Sequence, residues 1–383
     1  MTGRLLAALS VLGVTGLSAL SLGGPVFYFV SWALLMMIFY AVISLMAARF
    51  GLQFSQRLDS HTLERGDGGQ LHVSLRLKSP LPIGPVRLPL RLPEGQAEAV
   101  MQAGFLREEN AAFSLRFPHV GQWAVGTEKL ILEDFFGLIR LPVRLRAPLP
   151  QALVLPRRFE VLPLDFARLD EGRAIPGRSG EDVTSPEDTR SYRLGDPFKR
   201  IHWKLSVRSR ELIVRRFEIP EPPDTLILLD CTAPLGAGDK PDGRARLIDT
   251  LAETALSVAA MQMAQGQPVR MPLYGEKQSE FHADRAEALA LLKEELACQP
   301  YNGGVSFERV LNLELRRMRR TGATIIITTR LDAAVAEGVK NIRASGPNVR
   351  FYLITFTINA PEYSPYIALL QQNLVEVCYV TPA

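Results

Sequence analysis

Hydrophobic and polar positions divide the chain into three stretches that follow different periods. The first has no polar face at all: from Leu5 to Ala48 there is no Asp, Glu, Lys or Arg. Each such charge at a bilayer centre costs about 2.5 to 3.5 kcal/mol on insertion scales, so an uncharged run of this length predicts residence in lipid. One helix crosses a membrane in about 20 residues, which leaves room for two crossings. Leu22-Gly23-Gly24-Pro25 supplies the turn between a span from Leu5 to Ser21 and one from Val26 to Ala48. Arg4 precedes the first span, and Arg49, Arg57 and Arg65 follow the second. The positive-inside tendency therefore puts both ends in the cytoplasm. A signal peptide, with Arg4 as its charged start and Ser18-Ala19-Leu20 as a poor cleavage site, is the rival reading, and it leaves the second span without an explanation.

The second stretch alternates with period two. Leu71, Val73, Leu75 and Leu77 are separated by polar or basic residues, and Val86, Leu88, Leu90 and Leu92 repeat the pattern beyond a Pro/Gly turn. Phe113 to Phe117, Trp123 with Val125, Leu130 to Leu132 and Leu138 to Leu145 continue it, which predicts a small antiparallel β-sandwich over residues 51–150. Prolines at 148, 150, 156 and 163, with the Pro-rich run Ile219 to Pro223, mark residues 151–223 as a connecting segment. From Asp224 onward strands alternate with helices of period 3.6. The strands are Thr225 to Asp230, Val269 to Leu273, Ala323 to Thr328 and Val349 to Phe356. The helices are Arg244 to Gln265, Ala283 to Leu296, Phe307 to Met318 and Asp332 to Arg343. That order predicts a Rossmann-like α/β domain over 224–383, its parallel sheet covered on both faces and its chemistry at the carboxyl ends of the strands. The fold class is thus a membrane-anchored multidomain protein: transmembrane helical hairpin (1–50), β-sandwich, connecting segment and α/β domain.

Composition narrows the function. The chain has 383 residues and a formal net charge of +4. Its basic residues are interleaved with acids, so bulk nucleic-acid binding has little support. Cys231, Cys298 and Cys378 are scattered and lack CxxC spacing, which argues against a disulfide framework and a zinc site. No phosphate-binding G-x-x-x-x-G-K-[ST] loop, H-E-x-x-H pair or Gly-rich dinucleotide turn is present. Cys231 beside Asp230 invites a cysteine-dependent hydrolase with His202 or His282 as base, but nothing in the spacing brings a histidine to it.

The densest constellation is residues 188–208. Gly195-Asp196-Pro197 reads as a helix start, because Asp accepts orphan amides and Pro tolerates the first turn. The helix it starts would carry Lys199, Arg200, His202 and Lys204 around Trp203. A mix of cations about one large aromatic suits either an internal brace or a surface for an acidic partner. Arg190, Tyr192, Gly195, Asp196, Pro197, Arg200, Ile201, Trp203, Lys204, Ser206 and Arg208 resemble the signature R-x-Y-x-x-G-D-x-x-R-x-I-x-W-K-x-S-A-R of the bacterial family catalogued as domain of unknown function 58, with Val207 replacing its Ala. Glu133-Asp134-Phe135-Phe136-Gly137-Leu138 is similar to that family's D-P-F-G-L element, and the N-terminal hairpin is usual there.

The resemblance implies that the α/β unit is like a von Willebrand factor type A domain, that the protein sits in the bacterial inner membrane, and that a MoxR-type AAA+ ATPase is its partner. Arg190, Tyr192, Gly195, Asp196, Arg200, Trp203, Lys204 and Arg208 are the residues expected to bind that partner or to brace the domains. Type A domains often hold Mg²⁺ through a D-x-S-x-S loop, since a hard cation takes carboxylate and hydroxyl oxygens. Here the loop reads Asp230-Cys231-Thr232-Ala233-Pro234; Val305 stands where a Thr is expected, and Thr329-Arg330 where an acid is expected. Asp230, Thr232 and Ser306 are left as weak ligands, so no metal or other cofactor is expected. The function expected is a non-enzymatic scaffold in cell-envelope maintenance or protein assembly, with a metal-dependent adhesion-type domain as the alternative.

Overall fold

A computed structural model describes residues 3–102, 104, 108–161, 186–193, 198–217, 224–236, 242–283, 286–318, 321–358 and 360–382. They form two compact units, Met1–Arg157 with Leu296–Cys298, and Arg158–Glu295 with Gln299–Ala383.

The first unit opens with α1 (Gly3–Leu22) and α2 (Pro25–Gly51), both long and apolar enough to cross a membrane. Gly23 takes φ +64° at the turn, a conformation that suits a residue without Cβ, and Pro25 occupies the first turn of α2. Leu17, Leu20, Phe29 and Trp32 point outward, more than half exposed. The last turns of α2 differ: Ala41, Ser44, Leu45 and Ala48, spaced by three and four, are buried, and Leu45 and Ala48 join the core of the strands that follow.

The helix leads without a linker into β1 (Leu52–Leu58), the Leu52 amide donating to the Ala48 carbonyl. Then come β2 (Thr62–Glu64), β3 (Gly68–Leu77), β4 (Val86–Leu92), β5 (Gly95–Met101), β6 (Glu108–Arg116), β7 (Gly121–Ala124), β8 (Lys129–Glu133), β9 (Arg140–Arg144) and β10 (Gln151–Leu155). They make three small sheets, ordered β1-β3-β6, β2-β10-β7 and β5-β4-β8-β9, around one apolar core. The alternating leucines and valines of β3 and β4 supply that core, as their period requires. Two features differ from the sequence reading. β1 has polar Gln53, Ser55, Gln56 and Arg57, which hide its pattern, yet it pairs with β3 over its whole length. β10 lies beyond the expected end at 150 and pairs with β7 and β2, so residues 151–155 complete this unit instead of opening the connecting segment.

Beyond it lie β11 (Pro186–Ser191), α3 (Trp203–Ser209), β12 (Ile213–Phe217), β13 (Asp224–Leu229), α4 (Gly243–Ala264), β14 (Val269–Tyr274), β15 (Gln278–Ala283), α5 (Leu289–Cys298), α6 (Phe307–Arg317), β16 (Thr321–Thr328), α7 (Ala333–Ala344), β17 (Asn348–Ile354), α8 (Ser364–Gln372) and β18 (Glu376–Val380). β11 and β12 form an antiparallel pair of their own. The large sheet runs β15-β14-β13-β16-β17-β18, parallel except for the edge strand β15. Leu226 and Leu228 face a core shared with α6 and α7, while Ile227 and Leu229 alternate to the opposite face and α4 packs on β13. The sequence expectation of a helix from Ala283 is corrected. Residues 278–283 are the edge strand, whose Glu280 and His282 face solvent, and the helix starts at Leu289.

Candidate functional site

The order of the large sheet places β13 and β16 side by side at its centre, so their carboxyl ends bring Asp230 and the Thr328-Thr329-Arg330 run together. Asp230 is almost fully buried, and both of its oxygens are used. Oδ1 accepts from the Thr232 amide at 3.0 Å and the Thr232 hydroxyl at 2.6 Å. Oδ2 accepts from the Thr328 hydroxyl at 2.7 Å and from Arg330 Nε at 2.9 Å. Arg330 Nη2 also donates to the Thr232 hydroxyl and, at 2.8 Å, to the Ala233 carbonyl. The guanidinium thus stands where a divalent cation bound to Asp230 would stand, and it is already paired. This donor set does not fit Mg²⁺, which takes oxygens in octahedral array and no cation among them. Among the described residues no group of three or more His, Cys, Asp or Glu is placed to hold a metal. Ser306 sits at the N-cap of α6 and is exposed.

Cys231 faces inward beside this pair. Burial, and then the neighbouring Asp230 charge, push its thiol up to about 12, so it is protonated at neutral pH. Gly303 donates its amide to the Cys231 carbonyl at 3.0 Å, and a Cβ at 303 would come within 2.6 Å of the Tyr274 carbonyl oxygen. Glycine is what lets the loop before α6 close over the strand end.

The 188–208 constellation is built differently. Tyr192 continues the β11–β12 pairing with its amide on the Leu212 carbonyl at 2.7 Å. Phe198–Arg200 form a 3-10 turn, and the Phe198 ring stacks on Tyr192 with centroids 6.0 Å apart. Ile201 is buried against β12, bridging to Val214. The helix of this motif begins at Trp203 and is capped by His202, whose Nδ1 accepts from the Leu205 amide at 3.2 Å. The expected start at Gly195-Asp196-Pro197 lies outside the described residues, as do the side chains of Arg190 and Arg200. Ser206 is buried and clamps α3 to β12: its Oγ accepts from the Ile213 amide at 2.9 Å. Trp203 is 59% exposed and Val207 78%, with Lys204 and Arg208 beside them on the outer side of the helix. The motif therefore has an inner face, Ile201 and Ser206, that braces it to β12, and an outer face that presents an aromatic and two cations. Thr328 and the Ala233 carbonyl were not foreseen from the sequence.

An open α/β sheet, wound on both faces and closed at its strand ends by an internal ion pair, is the class of domain these residues define. Residues 188–351 match the model of the family described as "Protein of unknown function DUF58". The likeness to that family lies in this region, which is less than half of the chain. It is similar to the "Uncharacterized protein YeaD" of Bacillus subtilis (strain 168), 24% identical over 225 residues, which are 54% of this chain and 55% of the relative. The match thus spans about half the length of that curated relative. Among solved structures, the SpRpn10 VWA domain is matched over 43% of this chain and 90% of its own, at 11% identity and a TM-score of 0.29. A CARDB domain from Pyrococcus furiosus is matched over 27% of this chain and 90% of its own, at 8% identity and a TM-score of 0.20.

Proposed function

We propose that this protein is a membrane-tethered, non-enzymatic scaffold or adaptor. Its helical hairpin crosses the bacterial inner membrane twice. A β-sandwich and a Rossmann-like domain of von Willebrand factor type A character are thereby held at the cytoplasmic face, where residues 188–208 bind a MoxR-type AAA+ ATPase in envelope maintenance or protein assembly. One observation carries this reading: Trp203 stands exposed on a helix whose opposite side is pinned by Ser206 and Ile201. Exposed aromatics with flanking cations, held on a rigid support, are the residues that dominate protein interfaces.

Support also comes from what the sheet end lacks. Arg330 opposes the cation that a metal-dependent adhesion-type domain needs, and a buried, protonated Cys231 supplies no nucleophile for a hydrolase. The test is co-purification of the detergent-solubilised full chain with a co-expressed MoxR-type ATPase. Wild type is expected to retain the ATPase, and Trp203→Ala to retain about tenfold less or lower, the effect of losing an interface hot spot. Failure of wild type to retain it sinks the partnership.

A further inference from the structure

The Glu133-Asp134-Phe135-Phe136-Gly137-Leu138 element plays no part in the reading above. It forms the tip of the β8–β9 hairpin in the first unit, and Asp134 ties it from within. The Asp134 carboxylate accepts from the Phe136 amide at 2.9 Å and the Ile139 amide at 2.6 Å, and its carbonyl from the Gly137 amide at 2.9 Å. Gly137, at φ +69°, turns the chain back. Held this way, Phe135 and Phe136 project outward, edge to face at 5.4 Å, 60% and 45% exposed. A turn tip in water takes Gly, Asn, Asp or Ser; two adjacent exposed phenyl rings on a tightly bonded turn call for an apolar neighbour.

The membrane helices supply the neighbour's position. Phe136 meets Tyr40 of α2 edge to face at 5.9 Å, and the Tyr40 hydroxyl donates to the Pro82 carbonyl at 3.3 Å. Arg4 of α1 lies on the other flank, its Nη1 3.1 Å from where a Gly137 Cβ would be. Arg4 is the first charge of the chain, and the 20 residues of α1 span about 30 Å, the thickness of a hydrocarbon core. The turn is therefore level with the charged end of α1, beside a stretch of α2 that stays apolar on its outer side at Phe39, Val42, Ile43 and Met46.

We infer that the Phe135-Phe136 turn inserts into the cytoplasmic boundary of the bilayer, so that lipid is its partner and the β-rich unit rests on the membrane as well as being tethered to it. Aromatic side chains favour that zone, where rings lie among the upper acyl chains, and Tyr40 places its hydroxyl end there too. The inference rests on the hairpin lying in the membrane, and its test separates the two claims.

Single nitroxide labels are placed at Phe135→Cys, Phe39→Cys and Glu94→Cys in the full chain. Cys298 and Cys378 are replaced by Ser, and the buried Cys231 is retained. Glu94 is exposed in the β4–β5 turn, at the far end of the same sheet, because β4 runs antiparallel to β8 with Val86 opposite Leu132. In vesicles of phosphatidylethanolamine and phosphatidylglycerol, collision rates with oxygen and with a water-soluble nickel chelate are read by power-saturation spectroscopy. The expected result is an oxygen-to-nickel ratio several-fold higher at 135 than at 94, approaching that at 39. A lipid-like label at 39 with an aqueous one at 135 overturns the inserted turn alone. An aqueous label at 39 overturns the membrane hairpin and the inserted turn with it.

Discussion

Asp230 is buried away from water, and the four donors it accepts from satisfy both of its oxygens there. Removing the one cation among them leaves a buried carboxylate uncompensated. Arg330→Ala is expected to cost about 3 kcal/mol in urea unfolding, and Asp230→Asn with Arg330→Gln, a neutral hydrogen-bonded substitute, less than half as much. A single-mutant loss below about 1 kcal/mol would mean the pair does not hold β16 to β13. Cys231 gives a pH signature at the same place. Its folded value is raised from 9.0 to about 12, so the unfolded chain ionises first and stability is lost as pH rises through that window. The stability difference between wild type and Cys231→Ala is expected to shift against wild type between about pH 9 and 12, and to stay flat below pH 8. A difference that stays constant from pH 7 to 12 would assign the effect to packing alone.

At the scale of elements, α3 separates a pinned face from an exposed one. Ser206→Ala leaves the part-buried Ile213 amide without this acceptor and is expected to cost about 1 kcal/mol, seen as faster hydrogen exchange across β12. Trp203→Ala is expected to leave stability within about 0.5 kcal/mol while cutting capture of the proposed ATPase. If Trp203→Ala instead destabilises as much as Ser206→Ala, the tryptophan is packing and not presenting. The elements legible in the sequence were those with a strong period. β3 and β4 showed clean alternation, and β13, α4, α6, β16 and α7 showed compact apolar runs or helical stripes. Missed were β1, with polar residues on its outer face, the edge strand β15 and the terminal pair α8 and β18. The outer positions of these edge elements face solvent, so their patterns are diluted. The conflict of Arg330 with a metal was legible because the type A resemblance puts Thr329-Arg330 where an acid is expected. The Thr328 hydroxyl was not, because a threonine inside an apolar strand reads as β-branched filler.

For the whole molecule the membrane reading sets which compartment reaches which thiol. Cys298 is exposed, so in intact spheroplasts it is expected to escape a membrane-impermeant maleimide and to react once the membrane is opened. Reaction in intact spheroplasts would put the soluble part outside. With the hairpin in lipid, the Phe135-Phe136 turn adds a second line of contact along the same surface.

α2 ends at Gly51 and β1 begins at Leu52, with no residue between them, and Leu45 and Ala48 in the last turns of α2 join the core of the strands behind it. Such a joint has no swivel. Spinning the second helix about its own axis turns the β-rich unit by the same angle, as a key turns with its shaft, and tilting it leans that unit over. Were α2 to lie in a bilayer, neighbours diffusing there would meet this protein with its heading already set by the helix, and an event that rotates α2 would be read out in that unit as a change of bearing.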